Sequence, residues 1–326
     1  MNDDYLWDRS GPPDAEIVRL ERTLASLRQE SLPPLILRAP MSAWSEWIGV
    51  ALLAASLAIM VGGVTLAYRF HPQAPGWEIT SLERQRDLRI GGWLETNSRE
   101  KATINVANVG TVSVEPLTRL RLIDTRTGNH RLELARGTVH ARIWAPPGQF
   151  FVETPSSTAV DLGCAYTLTI DDEGSGLVSV ALGWVGFEWH GRESFIPAGS
   201  MCATRPGVGP GTPYNEHVSP AFRAAIETID FRSGSPDQVA ALDLVLAEAQ
   251  ERDEVTLWHL LTRVDGGQRD RVFDRLTRFV PPPAGVTREG VRAGRRDMLD
   301  RWWDALGLGT ASWWRTWKQP WRGSSR

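Results

Sequence analysis

Apolar and polar positions along this chain follow three successive patterns, and each predicts a different kind of element. From Asp14 to Glu30 the period is helical: Ile17, Leu20, Leu24 and Leu27 recur at three- and four-residue intervals, while Arg19, Glu21, Arg22, Arg28 and Glu30 occupy the other faces. Asp14 and Glu16 suit the positive end of a helix dipole, and Pro33-Pro34 stops the helix. From Trp47 to Tyr68 the pattern is apolar throughout but for Ser56 and Thr65, without a single charge. At about 1.5 Å of rise per residue such a helix spans roughly 33 Å, enough for the hydrocarbon core of a bilayer. A cleaved signal peptide would have a basic start and a shorter run, and a buried soluble helix is rarely apolar on every face. Trp44, Trp47 and Tyr68 bracket the run where interfacial aromatics belong. The pattern predicts a short head, residues 1–46, and one transmembrane helix at 47–68.

Beyond the span, over 69–205, the period becomes two. Thr103-Ile104-Asn105-Val106, Thr111-Val112-Ser113-Val114, Arg119-Leu120-Arg121-Leu122 and Arg131-Leu132-Glu133-Leu134 alternate, as do Thr138 to Ile143 and Tyr166 to Ile170. Turn residues separate them: Thr127-Gly128-Asn129, Arg136-Gly137, Pro146-Pro147-Gly148 and Asp171 to Gly174. Many short strands at this spacing predict an antiparallel β-sandwich or roll. Over 206–283 the helical period returns. Ser219-Pro220 and Ser235-Pro236-Asp237 are helix starts. Four apolar stripes follow: Phe222/Ile226/Ile229, Val239/Leu242/Leu246/Ala249, Leu257/Leu260/Leu261/Val264 and Val272/Leu276/Phe279. Pro281-Pro282-Pro283 is expected to close this small helical domain, leaving 284–326 as a tail rich in Trp and Arg. In that tail Trp302 and Trp303 are expected to cap the helices, and Trp313, Trp314, Trp317 and Trp321 to meet a partner or lipid. The fold class is thus mixed β and α, a β-sandwich or roll with a transmembrane helix before it and helices after it.

Composition changes this picture little. The net charge of −3 speaks against a nucleic-acid surface, which would be basic. Cys164 and Cys202 lie on the same side of the span; they would form a disulfide in an oxidising compartment, or serve as two small buried hydrophobes. The six histidines are scattered singly, and no phosphate loop, G-x-S-x-G, H-E-x-x-H or C-x-x-C occurs. No cofactor or metal site is predicted, and no enzyme. The head is more telling. A lone helix of this length has nothing of its own to cover its stripe, and a membrane-lying helix would be more basic. Ile17, Leu20, Leu24 and Leu27 therefore call for a protein partner, together with Tyr5, Trp7 and Asp8 in the turn-rich segment ahead.

The middle segment carries a resemblance. Gly110-Thr111-Val112 with Arg119-Leu120-Arg121-Leu122, Arg136-Gly137-Thr138-Val139-His140-Ala141 and Phe151-Val152-Glu153-Thr154-Pro155 resemble the periplasmic domain of FecR-type sigma-factor regulators. So do Ala159-Val160-Asp161-Leu162-Gly163-Cys164-Ala165-Tyr166 and Ile196-Pro197-Ala198-Gly199. Charge counting around the span leaves its orientation open. The resemblance implies a single-pass inner-membrane protein with the head in the cytoplasm and the C-terminus in the periplasm. It implies that the head handles an extracytoplasmic-function sigma factor, while the β-domain receives an envelope signal from an unknown periplasmic protein or ligand. The alternative is an envelope scaffold, binding peptidoglycan or another envelope protein and merely anchored by its head.

Overall fold

The alternating segments become strands of two facing sheets, and one strand belongs to both. The structure, a computed structural model, describes residues 15–25, 76–81, 85–126, 128–232 and 234–309. The predicted span at 47–68, with Tyr5, Trp7, Asp8, Leu27 and the last four tryptophans, lies outside them. Among the described residues no helix is long and apolar enough to cross a membrane. The chain divides into two compact units, Met1–His71 and Pro72–Arg326.

In the first unit the described element is helix α1, Ala15–Leu24, with Glu16 in its first turn and Arg22 in its last. None of its residues is buried.

The second unit begins with strands β1 (Trp77–Ser81), β2 (Gln85–Leu88), β3 (Trp93–Glu95), β4 (Ala102–Val106), β5 (Gly110–Val114) and β6 (Arg119–Arg126). They are followed by β7 (Asn129–Ile143), β8 (Phe150–Glu153), β9 (Thr158–Asp161), β10 (Ala165–Ile170) and β11 (Gly176–Leu182). The last are β12 (Trp184–Trp189), β13 (Arg192–Pro197), β14 (Ser200–Arg205) and the two-residue β15 (Gly209–Pro210) and β16 (Tyr214–Asn215). One sheet runs β2-β1-β4-β5-β7-β10-β11-β14, with β15 and β16 both on β14; the other runs β3-β6-β7-β8-β9-β12-β13.

Strand β7 sews the two together. Its first half pairs with β6 and its second half with β5 and β10. Sequence reading places a turn at Arg136-Gly137; the structure instead has one continuous strand with a corner there. Arg119 faces Arg136 while Leu120 faces Leu134, so Ala135 is an extra residue, a β-bulge. The bulge shifts the alternation by one. His130, Leu132 and Leu134 point inward before it, and Val139, Ala141 and Ile143 after it. Gly137 takes a φ of 94°, and a Cβ there would lie 2.4 Å from the Thr118 Cα, so a larger residue is excluded on both counts. Thr118 completes the corner: its Oγ1 accepts from the Thr138 N–H at 3.0 Å.

The corner corrects a second expectation. β8 runs parallel to β7, His130 facing Phe150, within an otherwise antiparallel fold. Parallel neighbours need a long crossover. Here the second half of β7 supplies it, because it folds over into the facing sheet and a short loop through Pro146-Pro147-Gly148 then returns the chain beside its own start.

Two cores result. The inner faces of both sheets bury Ile104, Val112, Leu120, Leu132, Val139, Phe150, Leu168, Val178 and Ile196. The outer face of β8, β9 and β13 buries Phe151, Val160 and Phe195 in a second core shared with the helices. Strands covered on both sides read as continuous apolar runs, as in Phe150-Phe151-Val152, rather than as alternation.

The helices are α2 (Pro220–Phe231), α3 (Asp237–Glu248), α4 (Glu254–Leu260), α5 (Gly266–Thr277), α6 (Arg288–Arg292) and α7 (Arg296–Ala305). Ser219 caps α2, accepting from the Phe222 N–H, with Pro220 at the first position. The predicted stripes are inward except at Val239, which is half-exposed. The prolines at 281–283 do not close the set: the chain turns there and adds α6 and α7. Trp302 and Trp303 are almost wholly buried, and the Trp302 indole donates to the Val280 carbonyl at 3.1 Å.

Candidate functional site

Helix α1 sets Ile17, Leu20 and Leu24 along one face, three and four residues apart. Leu20 is 61% exposed and Leu24 50%, so the stripe is open within its unit. Its chemistry is that of a helix that docks apolar side chains into a groove.

The residues that carried the resemblance turn out to shape the sandwich. Asp161 ends β9 and accepts from the Gly163 N–H at 2.7 Å, while the Cys164 thiol donates to its other oxygen at 2.7 Å. Burial raises the Asp161 carboxyl to about 7. Gly163 takes a φ of 84° in this turn. Cys164 and Cys202 are both buried and free, so of the two readings the structure takes the small-hydrophobe one. The register explains why. Cys202 lies opposite Val178, which lies opposite Leu168, four residues along β10 from Cys164. Their Cα atoms are therefore of the order of 15 Å apart, far beyond disulfide reach. Burial holds the Cys202 thiol up at about 12. Among the described residues no group of three His, Cys, Asp or Glu side chains could hold a metal.

Sequence reading missed a polar cluster at the seam between β13 and the helices. Asp230, on α2, has a fully buried side chain; it accepts from the Thr212 N–H at 2.6 Å and the Arg192 Nη2 at 3.0 Å. The Arg263 guanidinium, just beyond α4, approaches the same carboxylate, Nε to Oδ1, at 3.9 Å. Through Nη2 Arg263 also donates to the Glu193 carbonyl at 2.6 Å and to Ser194 Oγ at 2.8 Å. Burial pushes the Asp230 carboxyl up, against the pull of the two arginines, and burial lowers Arg263 to about 10. His259, one turn earlier, accepts the Phe195 N–H on Nε2 at 3.0 Å, so its Nδ1 carries the proton and donates to the Val255 carbonyl at 2.8 Å. Burial drives it down to about 3. The signal was present in the sequence: Asp230 falls eight residues after Phe222, on the apolar face of its own helix.

A cavity of about 560 Å³ opens at this seam. Arg192, Arg263, Arg269 and Arg296 line it with Glu193 and Asp300, over Phe195, Trp258, Leu261 and Leu299.

Residues 93–186 match the family model described as FecR protein. The chain carries a FecR domain. The FecR domain begins at β3, takes in the β7 corner and the Asp161 turn, and ends within β12, ahead of the helices. Two crystal structures of a candidate anti-sigma factor from Parabacteroides distasonis ATCC 8503, at 1.65 and 2.50 Å resolution, are also similar. Each is 17% identical with a TM-score of 0.34 over 41% of this chain, covering 63% and 62% of the other. The chain thus spans less than two thirds of that protein's length. No curated protein matches it.

Proposed function

We propose that this protein is a membrane-anchored regulator of an extracytoplasmic-function sigma factor, with its head in the cytoplasm and its FecR domain in the periplasm. The observation that carries the reading is the combination in one chain of a FecR domain at 93–186 with a separate amphipathic helix whose Leu20 and Leu24 stand exposed. The apolar run from Trp47 to Tyr68, which lies between them in the sequence, has the length and flanks of a single span. On this reading the head grips the sigma factor through Ile17, Leu20, Leu24 and Leu27, with Tyr5, Trp7 and Asp8 as further contacts. The periplasmic part alters that grip when it meets its signal, and the protein acts by binding rather than catalysis. The test is co-purification of a sigma factor with the full chain carrying Leu20→Asp and Leu24→Asp. Loss of the sigma factor is expected, and undiminished recovery would refute the assigned surface. Reporter fusions at Asp3 and Gly174 are expected in opposite compartments; the same compartment would overturn the topology.

A further inference from the structure

Among the described residues, the centre of the seam cluster sets two guanidiniums on a single carboxylate. Among the described residues Asp230 is the carboxylate within 4 Å of either Arg192 or Arg263, at 3.0 and 3.9 Å, so two guanidiniums face one counter-ion. The other arginines of the cavity are matched: Arg269 to Asp265 and Arg296 to Glu193. The surplus sits deep. The Arg263 side chain is 6% exposed, and its buried Nε has no hydrogen-bond partner. A guanidinium held this far from water is costly to leave uncompensated. Many proteins solve that with a second carboxylate; here the side chain borders a cavity of about 560 Å³ instead, within the usual range for small-molecule sites.

The rest of the lining narrows the ligand. Phe195, Trp258, Leu261 and Leu299 form an apolar wall, suited to a flat or branched hydrocarbon body. Glu193 and Asp300 oppose a second negative charge. A fork of N–H donors favours a planar oxyanion over a halide.

We infer that this cavity binds a small monocarboxylate with an apolar body, its carboxylate completing the charge on Arg263 and its body lying against Trp258 and Leu299. The site does not depend on the sigma-factor reading: it belongs to the β13–helix seam, outside the matched FecR segment, and would exist equally in a scaffold.

The test uses the full chain in detergent micelles with 4-fluorobenzoate as probe, followed by fluorine NMR line width. Neutral 4-fluorobenzamide and the dianion phthalate serve as comparisons. The expected result is millimolar or tighter binding of fluorobenzoate, with neither comparison compound competing. Arg263→Gln removes the surplus charge while leaving the Arg192–Asp230 pair, and is expected to weaken fluorobenzoate about tenfold or more, the loss of a charge-assisted hydrogen bond. Should that variant not fold, Arg296→Glu changes a side chain 59% exposed at the mouth of the cavity. It is expected to weaken fluorobenzoate severalfold while the chain still unfolds cooperatively, the loss of the largely exposed Arg296–Glu193 pair lowering thermal stability only slightly. The inference fails if fluorobenzoate does not bind, if fluorobenzamide binds equally well, or if folded Arg263→Gln or Arg296→Glu binds fluorobenzoate as the parent does.

Discussion

Helices α1 and α2 carry the same apolar arithmetic and meet opposite fates. Ile17, Leu20 and Leu24 recur at three- and four-residue intervals, as do Phe222, Ile226 and Ile229. The stripe of α2 is buried against the sheet and its sister helices, with Phe222 at 2% exposure. That of α1 buries nothing. Amphipathicity specifies that a face needs covering, not what covers it. In α2 the cover is this chain's own β13 side and helices; α1 belongs to a separate unit, and its Leu20 and Leu24 stand exposed.

The comparison is broken most forcefully on the covered side. Trp303 packs edge-on against Trp258 and Phe195, with ring centres 4.8 and 6.0 Å away. Trp303→Ala should cost about 3–5 kcal/mol of unfolding free energy in a denaturant titration; a loss below about 1 kcal/mol would mean that α7 does not hold the second core. Asp230→Asn leaves two guanidiniums facing each other around a neutral amide. A loss of similar size, about 3–5 kcal/mol, is expected from removing one partner of a buried ionic group.

A smaller effect sharpens the point through pH. His259 is held neutral, its pKa lowered from 6.5 to about 3 by burial. Between those values the unfolded chain binds the proton and the folded chain does not, so stability from this group is present above pH 6.5 and is lost as the pH falls towards 3. The slope from one such proton is about 1.4 kcal/mol per pH unit. His259→Gln, whose amide oxygen can still accept from the Phe195 N–H, should flatten the acid limb of a stability-against-pH curve. Asp161 works in the opposite sense: raised to about 7, it adds stability at low pH that is lost as the pH rises through 7, which is why the two are separated by mutation. An unchanged acid limb in His259→Gln would show that the histidine is solvated in the fold.

The smallest effect lies on the uncovered side. Leu20→Asp with Leu24→Asp should leave unfolding of the second unit within about 0.5 kcal/mol of the parent, as for exposed positions generally. A large loss would mean the stripe is covered by this chain after all.

Much of the sandwich was legible because its signals are local. Alternation at Thr103 to Val106 or Tyr166 to Ile170 gave strands, and Ser219-Pro220 gave the start of α2 within a residue. The corner at Gly137 was half legible: the residue is visible, and so is the shift from Leu132/Leu134 to Val139/Ala141. A turn and a bulge share those marks, and what separates them is whether the next segment pairs back on the last. The arginine–aspartate seam was hidden for a different reason. Arg192, Asp230 and Arg263 are separated by more than thirty residues at each step, and a charged residue on an apolar stripe reads as an imperfection until its partners are in place.

By itself the chain settled which segments are strands and helices and which side of most of them is apolar, since both follow from geometry within a few residues. Tertiary structure decided which apolar side meets which. It carried β7 through both sheets, set β8 parallel to it, kept Cys164 and Cys202 apart, and extended the helical core past the prolines to Trp303. Those outcomes turn on contacts between distant residues, where small differences in packing choose among pairings that the local pattern permits equally.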